Sequence, residues 1–91
     1  MARISADVRK LYRAADKCRD ASRDLRDIKR DIRNTLSRTQ WEGVSRTRFD
    51  DQLRDWEKDL ARRIDGLKDL AHDLKRAARR LERAERRSRD R

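Results

Sequence analysis

Thr39-Gln40-Trp41-Glu42-Gly43-Val44-Ser45 is the stretch on which the fold turns. Gly43 is one of only two glycines in the chain, and there is no proline. On both sides of this stretch apolar residues recur at helical spacing, and only here does the pattern break. Glycine reaches backbone angles that other residues avoid. The break therefore reads as the bend of a long helical hairpin centred on Trp41-Glu42-Gly43. Its first arm spans about 5–38, its turn about 39–45 and its second arm about 45–87.

The first arm carries a heptad stripe. Ile4, Val8, Leu11, Ala15, Cys18, Ser22 and Leu25 follow one another in alternating steps of four and three, the spacing that keeps one side of a helix against a neighbour. Ile28, Ile32 and Leu36 continue the stripe with a slightly different phase. Ser5 followed by Asp7 suits a helix start, with a hydroxyl to cap and an acid in the first turn. The stripe is thin from Cys18 to Ser22, where small side chains let another helix come close.

The second arm carries Phe49, Leu53, Trp56, Leu60, Ile64, Leu67, Ala71, Leu74, Ala78 and Leu81, widened by Leu70 and Ala77. A face of that width touches two neighbours at once, which suits a bundle better than a two-stranded coil. Thr47 with Asp50 three residues on resembles a capping box. Gly66 lies inside the arm. It permits a close helix crossing, but a tolerated surface glycine is the favoured reading. Apolar content fades after Leu81, so residues 84–91 are expected to fray.

Composition limits how such a hairpin can persist. Leu, Ile, Val and Phe number 16 of 91 residues, and the net charge is +10. Those values border on the disordered range, but here the apolar residues are concentrated on stripes. Burying a large apolar side chain contributes about 1.5–3 kcal/mol, and ordering a residue costs about 1.5 kcal/mol. With only 20 such side chains the terms nearly cancel. The expectation is a dimer with a four-helix core, in which each arm buries a second side.

Charge is unevenly placed. Residues 1–38 carry twelve cations and six acids, residues 39–73 seven and nine, and residues 74–91 nine and three. Pairs such as Asp20 with Arg23 and Asp27 with Arg30 are spaced for surface ion pairs worth a few tenths of a kcal/mol. Arg76, Arg80, Arg83 and Arg87 form a stripe in the tail, flanked by Arg79 and Arg86. Such a stripe suits an acidic surface or a phosphate backbone. The favoured reading is a solvated helix end with its cations set against the C-terminal dipole, and no aromatic residue stands among the arginines to stack a base.

Catalytic constellations are lacking. His72 is the single histidine and Cys18 the single cysteine, too few for a zinc site and with no second thiol for a disulfide. Cys18 reads as a small core residue. There is no glycine-rich phosphate loop, so no enzyme and no cofactor are expected. No 18-residue apolar run is present to span a membrane. Met1-Ala2-Arg3-Ile4-Ser5-Ala6-Asp7 lacks the apolar centre of a secretory signal peptide, so any export is expected to use another route.

Trp41, Phe49 and Trp56 hold three of the four aromatic residues, and as packing they form an aromatic plug at the closed end. Trp41-Glu42-Gly43 between two helices, with Phe49 and Trp56 at their distances after it, resembles the WXG family of type VII secretion substrates, relatives of the early secreted antigenic target and culture filtrate antigen of mycobacteria. The resemblance implies an all-α helix-turn-helix protomer that dimerises into an antiparallel four-helix bundle, with itself or with a sister protein. It also implies export by a membrane ATPase, service as substrate or as partner of a larger effector, and a role for Trp41 and Gly43 in the export surface. Val8, Leu11, Leu25, Ile28, Ile32, Leu36, Leu53, Leu60, Ile64, Leu67 and Leu74 are the expected core and dimer seam. Family members often carry Tyr-x-x-x-Asp/Glu after the second helix, but residues 82–91 contain no tyrosine. Tyr12-Arg13-Ala14-Ala15-Asp16 has the letters in the wrong arm. A nucleic-acid-binding helical module and a plain structural coiled coil are the competing readings.

Overall fold

The computed structural model describes residues 4–41 and 45–90. Two helices account for nearly all of them: α1, Ala6–Arg38, and α2, Ser45–Arg89. They pack on one another as an antiparallel hairpin measuring 74 × 18 × 11 Å. The bend expected at Glu42 and Gly43 lies outside the described residues.

Local chemistry sets the ends of α1. Ser5 is its N-cap, and its Oγ accepts a hydrogen bond from the Val8 amide at 3.1 Å, satisfying one of the amides that a helix start leaves without a partner. Asp7 adds an acid to the first turn and Arg38 a base to the last. The C-terminal carbonyls are taken up by side chains. Ser37 Oγ donates to the Asn34 carbonyl and Thr39 Oγ1 to that of Thr35. Helix α2 already includes Thr47, and Asp50 pairs with Arg46 at 3.9 Å, so that pair of residues sits within the helix rather than capping it. At its far end α2 stays helical through 84–89, the residues expected to fray.

The interface between the arms has a simple register. In heptad terms Val8, Ala15 and Ser22 of α1 occupy the a row, and Ile64, Ala71 and Ala78 occupy it on α2; all six are buried, as is Leu60. Most of them are small. Small side chains at the contact let two backbones approach closely, and each contributes little apolar area of its own. The d row comes next. Leu11, Cys18 and Leu25 of α1 and Leu67, Leu74 and Leu81 of α2 are half-buried. Gly66 faces open space, since an added Cβ would meet nothing within 4 Å; it marks no close crossing.

The two sides of the hairpin differ. Each helix advances about 100° per residue, and in an antiparallel pair the g rows of both arms fall on the same side. That side carries Ala14, Ala21 and Ile28 from α1, with Asp7 and Thr35 at its ends, and Phe49, Trp56, Leu70, Ala77 and Ala84 from α2, interrupted by Arg63, next to the d rows. Ile28 and Leu70 are each 47% exposed. The opposite side carries the e rows: Tyr12, Arg19 and Arg26 from α1, Lys68, Lys75 and Glu82 from α2. One side of the hairpin is therefore apolar and open, and the other polar.

Candidate functional site at the closed end

Trp41 is placed by the end of α1. Its indole Nε1 donates to the Leu36 carbonyl at 3.1 Å, and the same carbonyl accepts the Thr39 amide at 3.3 Å. A helix leaves its last carbonyls without intrahelical partners, so the tryptophan side chain works as a cap. The ring then leans on α2. Trp41 and Phe49 centroids lie 5.2 Å apart at an interplanar angle of 40°, within the range in which aromatic pairs attract beyond simple area burial. The indole thus ties the end of α1 to the second turn of α2 while remaining only half-buried, and Phe49 is 42% exposed. Trp56 is half-buried two turns further along and makes no ring contact among the described residues.

A second tie follows along the same half. The Glu57 carboxylate receives Arg33 Nη2 at 2.9 Å and Arg33 Nε at 3.3 Å, with Lys29 Nζ at 4.0 Å. The Glu57 side chain is only 13% exposed. This forked contact joins two residues 24 apart in sequence. Spacing rules for pairs within one helix cannot find it; only the register of the hairpin brings the two together. Of the two ion pairs expected within the first arm, Asp27–Arg30 forms at 3.0 Å. Asp20–Arg23, expected at the same spacing, is not among the ion pairs of the described residues; both side chains are exposed, where water competes for such a pair.

The remaining predicted residues divide by depth. Val8, Leu60 and Ile64 are buried; Leu11, Leu25, Leu36, Leu53, Leu67 and Leu74 are half-buried; Ile28 and Ile32 are exposed. Arg76, Arg80, Arg83 and Arg87 fall on rows c and f, away from α1, with Arg79 nearby on row b, and all five are exposed. Arg76 pairs with Asp73, whereas Arg79, Arg80, Arg83 and Arg87 make no ion pair among the described residues. His72 is exposed on the b row and Cys18 half-buried on the d row. Among the described residues no group of three or more His, Cys, Asp or Glu is placed to hold a metal ion, and no helix is long and apolar enough to cross a membrane.

A two-helix hairpin with an open apolar side, its closed end pinned by a tryptophan, defines a small all-helical protein. Its sequence matches the profile of the WXG100 family, proteins of 100 residues with WXG, over residues 3–86. The chain belongs to that family, and with it to the small helical proteins associated with type VII secretion. No curated protein and no solved structure matches it.

Proposed function

We propose that this chain is a dimerising export module of a type VII secretion system, secreted itself or escorting a larger effector, and that the Trp41 end of the hairpin is the surface the secretion ATPase engages. The observation that carries this reading is the state of Trp41. Its N–H is satisfied within the chain at the Leu36 carbonyl, yet the side chain is only partly buried and lies next to the exposed Phe49 ring. A tryptophan used only as packing would gain by full burial. One that is held in place and left open suits recognition, since large rigid aromatic anchors dominate interface energetics.

The open apolar side supplies the dimerising function. The hairpin exposes 7798 Å², against about 5,600 Å² for a compact monomer of this mass. The excess is of the order of the area a standard interface buries, although an elongated shape contributes to it. A second hairpin laid on this side would complete a four-helix bundle.

The test is export from a cell carrying the secretion system. Trp41→Ala is expected to abolish appearance outside the cell, with the amount inside and the oligomer mass unchanged. Trp41→Phe preserves a ring against Phe49 and should fold in full, so its export reports recognition alone; a clear reduction is expected. Export of both variants at the unsubstituted level overturns the role given to Trp41.

A further inference from the structure

We propose that the polar side of the hairpin binds double-stranded nucleic acid along its phosphate backbone, without reading sequence, through the arginines and lysines of the e and b rows. This surface lies opposite the apolar side, so it stays available whatever covers that side, and the proposal does not depend on the function given above.

Charge is not spread evenly around the helices. On the polar side each e row is bordered by a b row. From α1 these two rows carry Arg9, Arg19, Arg23, Arg26, Arg30 and Arg33 against one acid, Asp16. From α2 they carry Arg54, Lys58, Lys68, Lys75, Arg79, Arg86 and Arg89 against Asp51, Asp65 and Glu82. Thirteen cations stand against four acids, so one side of the hairpin holds +9 of the chain's +10. The f rows, which point away from the other arm, carry five of each sign between Arg13 and Asp90. A face kept for solubility alone mixes its signs as the f rows do. The excess on the polar side is a matter of position, not of composition.

Most of these cations do not hold the arms together. Rows that flank a helix seam usually set opposite charges across it. Here the register that brings Arg33 to Glu57 and Trp41 to Phe49 sets Arg19 opposite Lys68 and Arg33 opposite Arg54. Arg33, Arg46 and Arg54, with Asp50 and Glu57, line an open depression of about 400 Å³. Arg26, Lys29, Arg30 and Arg33 line another of about 250 Å³ beside it, again with Glu57. Arg19, Arg23, Arg26, Arg54, Lys68 and Arg79 are exposed and make no ion pair among the described residues. A polyanion laid along this furrow would relieve the repulsion across it.

The side chains select the kind of polyanion. Ten of the thirteen cations are arginine, whose planar fork of donors fits a phosphate with two hydrogen bonds. From Arg54 to Arg86 the side extends about 48 Å, at 1.5 Å per residue. A duplex carries a charge about every 1.7 Å along its axis, so it meets a straight row of cations at any offset. A single strand gains from aromatic platforms for its bases, and the aromatic residue of these rows, Tyr12, is half-buried. Helices that lie on a bilayer bring large apolar side chains to it. None of the exposed Ile4, Ile28, Ile32, Phe49 and Leu70 lies on an e or b row.

Fluorescence anisotropy with a labelled DNA duplex of about 24 base pairs, as long as the hairpin at 3.4 Å each, tests this. The unsubstituted chain should bind below about 1 μM in about 50 mM salt. Binding should be about 1000-fold weaker in about 200 mM salt, as six or more neutralised phosphates require. Arg19→Gln with Arg26→Gln and Lys68→Gln should weaken binding at least about tenfold and lower the salt slope by about three. Arg76→Gln with Arg80→Gln and Arg83→Gln removes the same charge from the c and f rows, and should change affinity by less than about threefold, since screened distant charge contributes little. All six positions are exposed and glutamine is a good helix former, so circular dichroism should show both variants fully helical. No binding to the duplex in low salt overturns the proposal, and so do equal losses in the two variants. Binding as tight or tighter to a single strand of the same length, or to vesicles of equal parts phosphatidylglycerol and phosphatidylcholine, also overturns it.

Discussion

The open half and the closed half of the hairpin hold together in different ways. In the open half the arms meet through Val8, Ala15, Ser22, Ala71 and Ala78, all buried. In the closed half no α1 residue after Ser22 is buried. There the arms are joined by longer reaches: Arg33 and Lys29 to Glu57, and Trp41 to Phe49. Small side chains permit close backbones and complete one another within the hairpin. The open half is joined mainly through small buried side chains, with Ile4 and Leu70 exposed beside them, and the closed half leaves Ile28, Ile32 and Phe49 exposed.

This contrast can be broken. The largest effect is expected at Leu60, the large buried residue of the closed half. Leu60→Ala should destabilise the hairpin by about 2–4 kcal/mol, read as a lower thermal midpoint by circular dichroism. A smaller loss there would mean that the closed half is held by its ion pairs instead. Next is Ala15→Leu in the open half. Three added carbons between closely packed backbones should cost about 1–3 kcal/mol, and a stabilising outcome would show that the seam has unused room. Glu57→Gln removes the charge that holds Arg33 and Lys29. With Arg33 well exposed and Lys29 about one-third exposed, the expected loss is about 0.5–1 kcal/mol, within the range of surface pairs, and it should shrink in high salt. The smallest effect sharpens the comparison. Ile28→Ala should change the stability of the dilute hairpin by less than about 0.5 kcal/mol, because alanine's helix propensity offsets the little burial lost. The same change should weaken dimerisation measurably by sedimentation.

Much of the fold could be read from spacing. The steps of four and three from Ile4 to Leu25 identify the face of α1 that meets α2, because helical periodicity alone decides which side chains share a side. The Ser5 cap was legible for the same reason: it needs only neighbours three residues away. Depth was not. Val8 and Leu11 look equivalent as letters, yet one is buried and the other half-buried, since depth depends on which row points at the other backbone. Register was not legible either, and without it neither Arg33–Glu57 nor the Trp41–Phe49 contact can be placed. The hydrogen bond from Trp41 to the Leu36 carbonyl was hidden because a tryptophan acting as a C-cap has no sequence signature of its own. Trp41-Glu42-Gly43 is readable as a family motif from its letters alone.

One further consequence follows from the hairpin's having a single apolar side. A subunit with two sticky sides can add neighbours indefinitely, and an edge left over invites a filament. Here Tyr12, Arg19, Arg26, Lys68 and Lys75 keep the far side wet and charged, which gives the subunit a valence of one. Under the dimerisation proposed above, a partner on the apolar side would end the assembly at two and leave a rod with its back free of further copies.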